Sequence, residues 1–318
     1  MLDVIGIGKP VKDLLVAIDE MPPQDGATLA RCFSSQGGGK VASAIVAAAR
    51  LGMKTGMYAV LGDDNKGRFC KEDFARHGVD VSHVELKAGK TSPYCLSIAE
   101  KKNENRRFIG ELGNSGMLNA DDLDLEYIAS AKLLHLENGD PASLKAAKFA
   151  HDHGITVAMD ADMYSPAIEA MEPYVDLFIA SAFYMRGRFP GCEPEEGLEK
   201  IAKNGCKVVI FTLGSRGCIG YTNGEHFSLP AFSGLNVVDT TGAGDVFHGG
   251  FIAAWLLGKD PKECARFASA VSYIKCTRLG GRAGIPTRSM VEYFLEHGCL
   301  PENHDLDERV AYYASLVS

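Results

Sequence analysis

At 318 residues, with 46% apolar and 23% charged side chains, the chain has ordinary globular composition and enough length to bury a large core, which excludes disorder and coiled coil. Its 33 Lys and Arg against 41 Asp and Glu give a net charge of −8, the wrong sign for a general nucleic-acid or anionic-membrane binder. No apolar run approaches the ~20 residues of a membrane span; the longest, Val41 to Ala49 and Phe251 to Leu257, suit buried helices of a soluble protein.

The first residues, Met1-Leu2-Asp3-Val4-Ile5-Gly6, read as a strand, with an acid where a secretory leader carries positive charge. Nine scattered cysteines with no Cys-x-x-Cys pair read as core thiols of a cytoplasmic, reducing environment. From Gly37 onward, apolar runs alternate with helical stretches. Strands are expected at Gly56 to Leu61, Lys132 to Leu136, Ile155 to Asp160, Leu177 to Ala180 and Val208 to Leu213, and helices at Ala142 to His153 and Pro194 to Lys203. This alternation predicts an α/β fold, a doubly wound and mostly parallel sheet flanked by helices. Two stretches of hairpin character interrupt it, 13–35 and 92–110. They either assemble into a small β-sheet lid over one end of the main sheet or stand as two unrelated surface hairpins. The domain reading is 1–300 as one unit with a lid formed by 13–35 and 92–110, and 301–318 as a tail with one extra helix.

The most informative segment is Val237-Val238-Asp239-Thr240-Thr241-Gly242-Ala243-Gly244-Asp245-Val246-Phe247-His248. It reads as a short strand, a glycine turn and an apolar helix starting near Ala243. Unpaired amides and the macrodipole make such a helix start attractive to anions. A carboxylate at 245 would repel a resting phosphate but suits a base that takes the proton of an attacking alcohol. Its rival reading is a first-turn acid that stabilises the dipole by about 0.3–1 kcal/mol. His248 shares the helix face of Asp245 and reads either as a contact to substrate or nucleotide or as a packed or solvent-linked histidine.

The string Asp-Thr-Thr-Gly-Ala-Gly-Asp-x-Phe resembles the C-terminal signature of the ribokinase-like, or PfkB, carbohydrate kinases, and the resemblance extends from the first strand to Ile285-Pro286. It implies an ATP-dependent kinase acting on a hydroxymethyl group of a small sugar, a ketose or related and either neutral or anionic. Gly242, Ala243 and Gly244 would form the anion hole, with Asp245 as catalytic base. Gly37-Gly38-Gly39-Lys40 resembles the family's sugar-binding turn and implies sugar contacts from Asp13, Gly38, Gly39, Lys40 and Ser43, the last standing where relatives carry Asn. The bland readings are a turn aspartate for Asp13 and a solvated lysine for Lys40. Val208 to Gly217 is similar to the nucleotide-binding strand and turn, which implies ATP contacts from Thr212, Gly214, Ser215 and Gly217. Ser269 is either an adenine neighbour or a helix-packing serine. Asp239 and Thr241 match positions that hold a monovalent cation in many relatives, so K+ joins ATP and Mg2+ as an expected cofactor.

The pattern departs from the family where many relatives place Asn-x-x-Glu for magnesium: this chain reads Ser181-Ala182-Phe183-Tyr184. Asp160 and Asp162 stand nearby as strand-end acids, as suited to starting a loop as to compensating. The triple glycine and the stretch Phe267 to Pro286 resemble the sulfofructose kinase branch, which would require inward cations from among Lys9, Lys12, Lys40, Arg31, Arg106 and Arg107. Homodimer pairing through the lid is expected. A nucleoside kinase and a non-catalytic sugar or nucleotide sensor are the alternatives.

Overall fold

Apolar residues along the central strands alternate between two cores, and this alternation places helices on both faces. In the computed structural model, which describes residues 1–102, 105–302 and 304–317, Val4, Leu133, Ile179 and Ile210 feed one core while Ile5, Leu134, Phe178 and Phe211 feed the other. The strands of the main sheet are β1 (Leu2–Ile7), β4 (Thr55–Gly62), β5 (Val84–Lys87), β8 (Ala131–Leu136), β9 (Thr156–Ala161), β10 (Leu177–Ser181), β11 (Val208–Thr212), β12 (Cys218–Thr222) and β13 (Glu225–Leu229). Their order is β13-β12-β11-β10-β9-β8-β1-β4-β5. All neighbours are parallel except the β11–β12 and β12–β13 pairs. One face carries α1 (Lys40–Arg50), α2 (Asn65–Arg76), α8 (Ala243–Leu256), α9 (Pro261–Lys275), α10 (Arg288–His297) and α11 (Asp305–Ser315). The other carries α3 (Leu125–Ala129), α4 (Pro141–Asp152), α5 (Pro166–Glu169), α6 (Ala182–Arg188) and α7 (Pro194–Ala202). The five strands expected between Gly56 and Leu213 and the helices expected at Ala142 to His153 and Pro194 to Lys203 lie within one residue of their observed bounds.

The two interrupting stretches meet. β2 (Val11–Ile18) and β3 (Ala30–Gly38) pair antiparallel, β6 (Tyr94–Glu100) and β7 (Asn105–Glu111) pair antiparallel, and β2 joins β6 in parallel, giving a separate sheet of order β3-β2-β6-β7. Long-range pairing between β2 and β6 supplies the link that two independent hairpins would lack. Because β3 runs directly through Gly39 into α1, the small sheet is anchored at the C-terminal edge of the parallel strands, where ligands of open α/β sheets bind.

Two expectations need correction. Val237 and Val238 form no strand: they are 48% and 53% exposed, and the amides of Val238 and Asp239 both donate to Cys276 O, at 2.8 and 3.1 Å. The end of α9 satisfies that segment, so no sheet edge is required. The cysteines are also not uniformly core. Cys70, Cys206, Cys218, Cys264 and Cys276 are buried, whereas Cys32 and Cys299 are exposed. The final segment forms α11, whose Leu306 and Tyr313 are buried against the body. Among the described residues, no helix is long and apolar enough to cross a membrane.

Candidate active site

Most helices here close their own N-termini with a side chain. Asp64, Asp140, Ser181, Asp260 and Thr287 accept first-turn amides of α2, α4, α6, α9 and α10. The two that face the edge of the small sheet do not. α1 starts at Gly39, with φ +95°, and α8 at Gly242, with φ +72°, and neither has a side-chain cap. At α1 the deficit is met from β8: Glu137 accepts Val41 N and Lys9 N, each at 2.8 Å. At α8 the Ala243 amide reaches Thr240 O at 3.2 Å, while those of Gly244 and Asp245 have no backbone acceptor among the described residues. A Cβ at Gly244 would meet nothing within 4 Å. The start of α8 is thus an open ring of donors with Asp245 in its first turn.

Around that opening the fold gathers carboxylates from four segments. Asp13 of β2 lies so close to Gly38 that a Cβ there would collide with its carboxylate, which explains glycine at this position. Lys40, the first residue of α1, has Nζ 3.9 Å from Asp162 Oδ2. Asp160, at the end of β9, sits 3.4 Å from His248 Nε2, both side chains buried, and the His248 ring stacks on His135 at 5.4 Å. Burial first and the Asp160 charge second push Asp245 up to about 6, against the pull of His248, Lys40 and Lys275. Burial likewise lifts Asp13 and Glu137, each to about 7. Burial would raise Asp160 as well, but His248, Lys40 and His135 outweigh it and draw that carboxyl down to about 2. Asp245, raised like Asp13 and Glu137, thus stands beside Asp160, which is held ionised, the pattern that separates a proton acceptor from a fixed charge.

The residues expected on the sugar side therefore converge. Asp13 lies within electrostatic reach of Asp239 and Asp245, and Lys40 of Asp245, while Gly38 and Gly39 form the turn that leads into Lys40. Ser43 is buried inside α1, its Oγ 3.9 Å from where a Cβ on Gly281 would stand, so it supports the loop after α9 from below. The nucleotide-side residues are more dispersed. Thr212 ends β11, and Gly214 and Ser215 are exposed just beyond it. Gly217 serves packing instead, because a Cβ there would strike the backbone of Leu229. Ser269 is turned back on its own helix, donating to Ala265 O at 2.8 Å, which favours the helix-packing reading. Glu137 belongs to the constellation although no motif singles it out, and Asp160 and His248, noted in the sequence without a shared role, join it as a pair. The available signal was position: acids directly after parallel strands lie at the ligand-binding edge.

The metal expectations fare differently. Tyr184, at the fourth position of the altered magnesium motif, is buried and donates to Glu172 at 3.1 Å, while Ser181 Oγ donates to Asp162 O and caps α6. This segment offers Mg2+ no side-chain ligand. Asp239 and Thr241 do not fit K+ either. Asp239 Oδ1 accepts the amide and hydroxyl of Thr241 at 2.9 and 2.8 Å, Oδ2 accepts Gly280 N at 2.8 Å, and both backbone carbonyls accept Lys275 Nζ.

Residues 4–288 match the profile described as pfkB family carbohydrate kinase. An ATP-dependent ribose-1-phosphate kinase of Halopiger xanaduensis is 28% identical over 93% of this chain and 98% of its own. A nucleoside kinase of Methanothermobacter thermautotrophicus is 26% identical over 89% of this chain and 92% of its own. Among solved structures, a ribokinase of Thermotoga maritima superposes with TM-score 0.78 at 26% identity, over 93% of this chain and 100% of its own.

Proposed function

The chain belongs to the pfkB family of carbohydrate kinases, and from that premise we propose that it transfers the γ-phosphoryl group of MgATP to a hydroxymethyl of a small neutral sugar, with Asp245 as the base. The observation that carries this reading is a carboxylate with proton affinity near neutrality in the same helical turn as unpaired amides. As the acceptor oxygen bonds to phosphorus and the bond to the ADP oxygen breaks, Asp245 takes the hydroxyl proton, and the first-turn amides of α8 stabilise charge on the transferring oxygens. Magnesium arrives with the nucleotide as part of the donor substrate. The small sheet acts as the lid whose closure keeps water, a competing nucleophile, from the phosphoryl group.

A neutral acceptor fits the charge of the pocket. Five acids, Asp13, Glu137, Asp160, Asp162 and Asp245, outnumber the cations that act on them, Lys40, Lys275 and Arg282, and these acceptor-rich groups suit hydroxyl donors. Several cations that a sulfonate or phosphate would need are engaged elsewhere. Arg31 pairs with Asp19 at 3.0 Å, Arg107 stands 4.0 Å from Glu100, and Lys12 lies over the Phe69 ring. A nucleoside acceptor has one observation in its favour: by strand register Phe108 shares the Asp13 face of the lid and is 56% exposed, a surface on which a base could stack. An ADP-release panel of fructose, ribose, 2-keto-3-deoxygluconate, sulfofructose, adenosine and guanosine separates these readings. A neutral sugar should give the highest kcat/KM. Preference for a nucleoside would transfer the assignment to the second reading, and silence with every acceptor would end the kinase proposal.

A further inference from the structure

The turn that feeds the α8 amides is built around a buried ammonium. Lys275, the last residue of α9, is fully buried. Its Nζ donates to Asp239 O at 3.0 Å and to Thr241 O, the carbonyls immediately before the Gly242 turn. The Asp239 carboxylate is meanwhile consumed by Thr241 and by Gly280 N of the loop after α9. A monovalent metal ion held here would need these same oxygens, and an ammonium already has its charge and nearly its size.

We propose that Lys275 is a tethered replacement for a monovalent cation: a positioning residue that fixes turn 239–241, and through it the amides of Gly244 and Asp245, so that the enzyme works without K+. The inference rests on reading the start of α8 as the phosphoryl-binding site. Electrostatics favour it twice. The ammonium gathers backbone carbonyl dipoles that would otherwise repel one another, and it places a fixed positive charge close behind amides that receive an anion. A lysine so placed is neither a surface cation nor an ordinary ion pair, since both of its named acceptors are main-chain oxygens. Burial is the largest influence on this ammonium and, with Arg106, lowers its proton affinity against the opposing pull of Cys276, Asp239 and Asp245.

The test compares KCl with tetramethylammonium chloride at equal ionic strength, reading both ADP formation and melting temperature. Wild-type rate should agree between the salts within about twofold. Lys275→Ala, which leaves room for an ion, should lose at least ~10-fold in kcat in tetramethylammonium, as expected when charge-stabilising donors are misplaced. K+ or ammonium should restore much of that loss and raise the melting temperature of this variant while leaving wild type unmoved. Lys275→Met, which fills the space without charge, should not be rescued. Stimulation of wild type several-fold by K+, full activity of Lys275→Ala, or a loss that no cation restores would overturn the proposal. If Lys275→Ala does not fold, the wild-type salt comparison and Lys275→Met still decide. If wild type forms no ADP with any acceptor, the kinase reading fails separately, and the melting-temperature comparison still judges Lys275.

Discussion

Asp245 must carry charge to accept a proton, yet it stands where burial and a neighbouring acid both favour its neutral form. A base is active when deprotonated, so kcat/KM should climb with pH through about 6 and level off above it. Asp160→Asn removes one of the causes that raise Asp245, so the acid limb should move to lower pH while burial keeps it above an ordinary Asp. A pH profile of kcat/KM for the two proteins checks this, and an unmoved limb would remove Asp160 from any such role. At this scale the motif carried much: the order of glycines and acids from Asp239 to Asp245 singled out Asp245 and the amides beside it, and the glycine turn singled out Lys40. Asp160 and His248 were not legible as partners, because they come from different elements and only the packing of α8 over β9 brings them together. Lys275 was missed because a lysine closing a helix normally reads as a dipole partner exposed to solvent.

The elements are tied around the site by one buried arrangement that sequence periodicity does not reveal. Gln36 of β3 accepts the amides of Arg282 and Ala283 at 2.9 and 3.1 Å and donates to Leu279 O at 2.9 Å. Arg282, fully buried, pairs with Asp73 of α2, and the other oxygen of that carboxylate accepts the Tyr313 hydroxyl of α11 at 2.8 Å. Arg309 of α11 donates to the carbonyls of Arg282 and Ala283. The tail helix therefore clamps the loop whose Gly280 amide holds Asp239. Tyr313→Phe leaves a buried Asp73 oxygen short of a donor and should cost about 1–3 kcal/mol. Arg282→Met, which strands the Asp73 charge, should cost about 3–5 kcal/mol. Urea unfolding measures both, and a Tyr313→Phe protein as stable as wild type would make α11 a passive appendage. Apolar parallel strands were readable because both faces are covered. The β12–β13 hairpin was not read, although its Asn223-Gly224 turn, with φ of 51° and 84°, is a strong hairpin signal; its half-exposed strands lack the continuous apolar run of the others.

For the whole molecule, the small sheet has two consequences. Its register puts Leu14, Val16, Phe33, Leu96, Ile98 and Ile109 on the face opposite Asp13, none of them fully buried and Phe33 and Ile109 45% and 62% exposed. An apolar sheet face of this kind, flanked by the open edges of β3 and β7, calls for a cover. We propose a homodimer formed lid to lid; light scattering at micromolar concentration should give twice the chain mass, and a single species at monomer mass would contradict it. The doubly wound architecture was legible from strand–helix alternation alone. The joining of the two hairpins into one sheet was one of two readings that periodicity left open, since it depends on β2 finding β6 across a long stretch of intervening chain. The central claim concerns proton transfer at residue 245, and steady-state kinetics of Asp245→Asn with the preferred sugar tests it most directly. The account predicts at least a ~10²-fold fall in kcat, the usual scale for removing a general base, with ATP affinity nearly unchanged. Turnover close to wild type would contradict it.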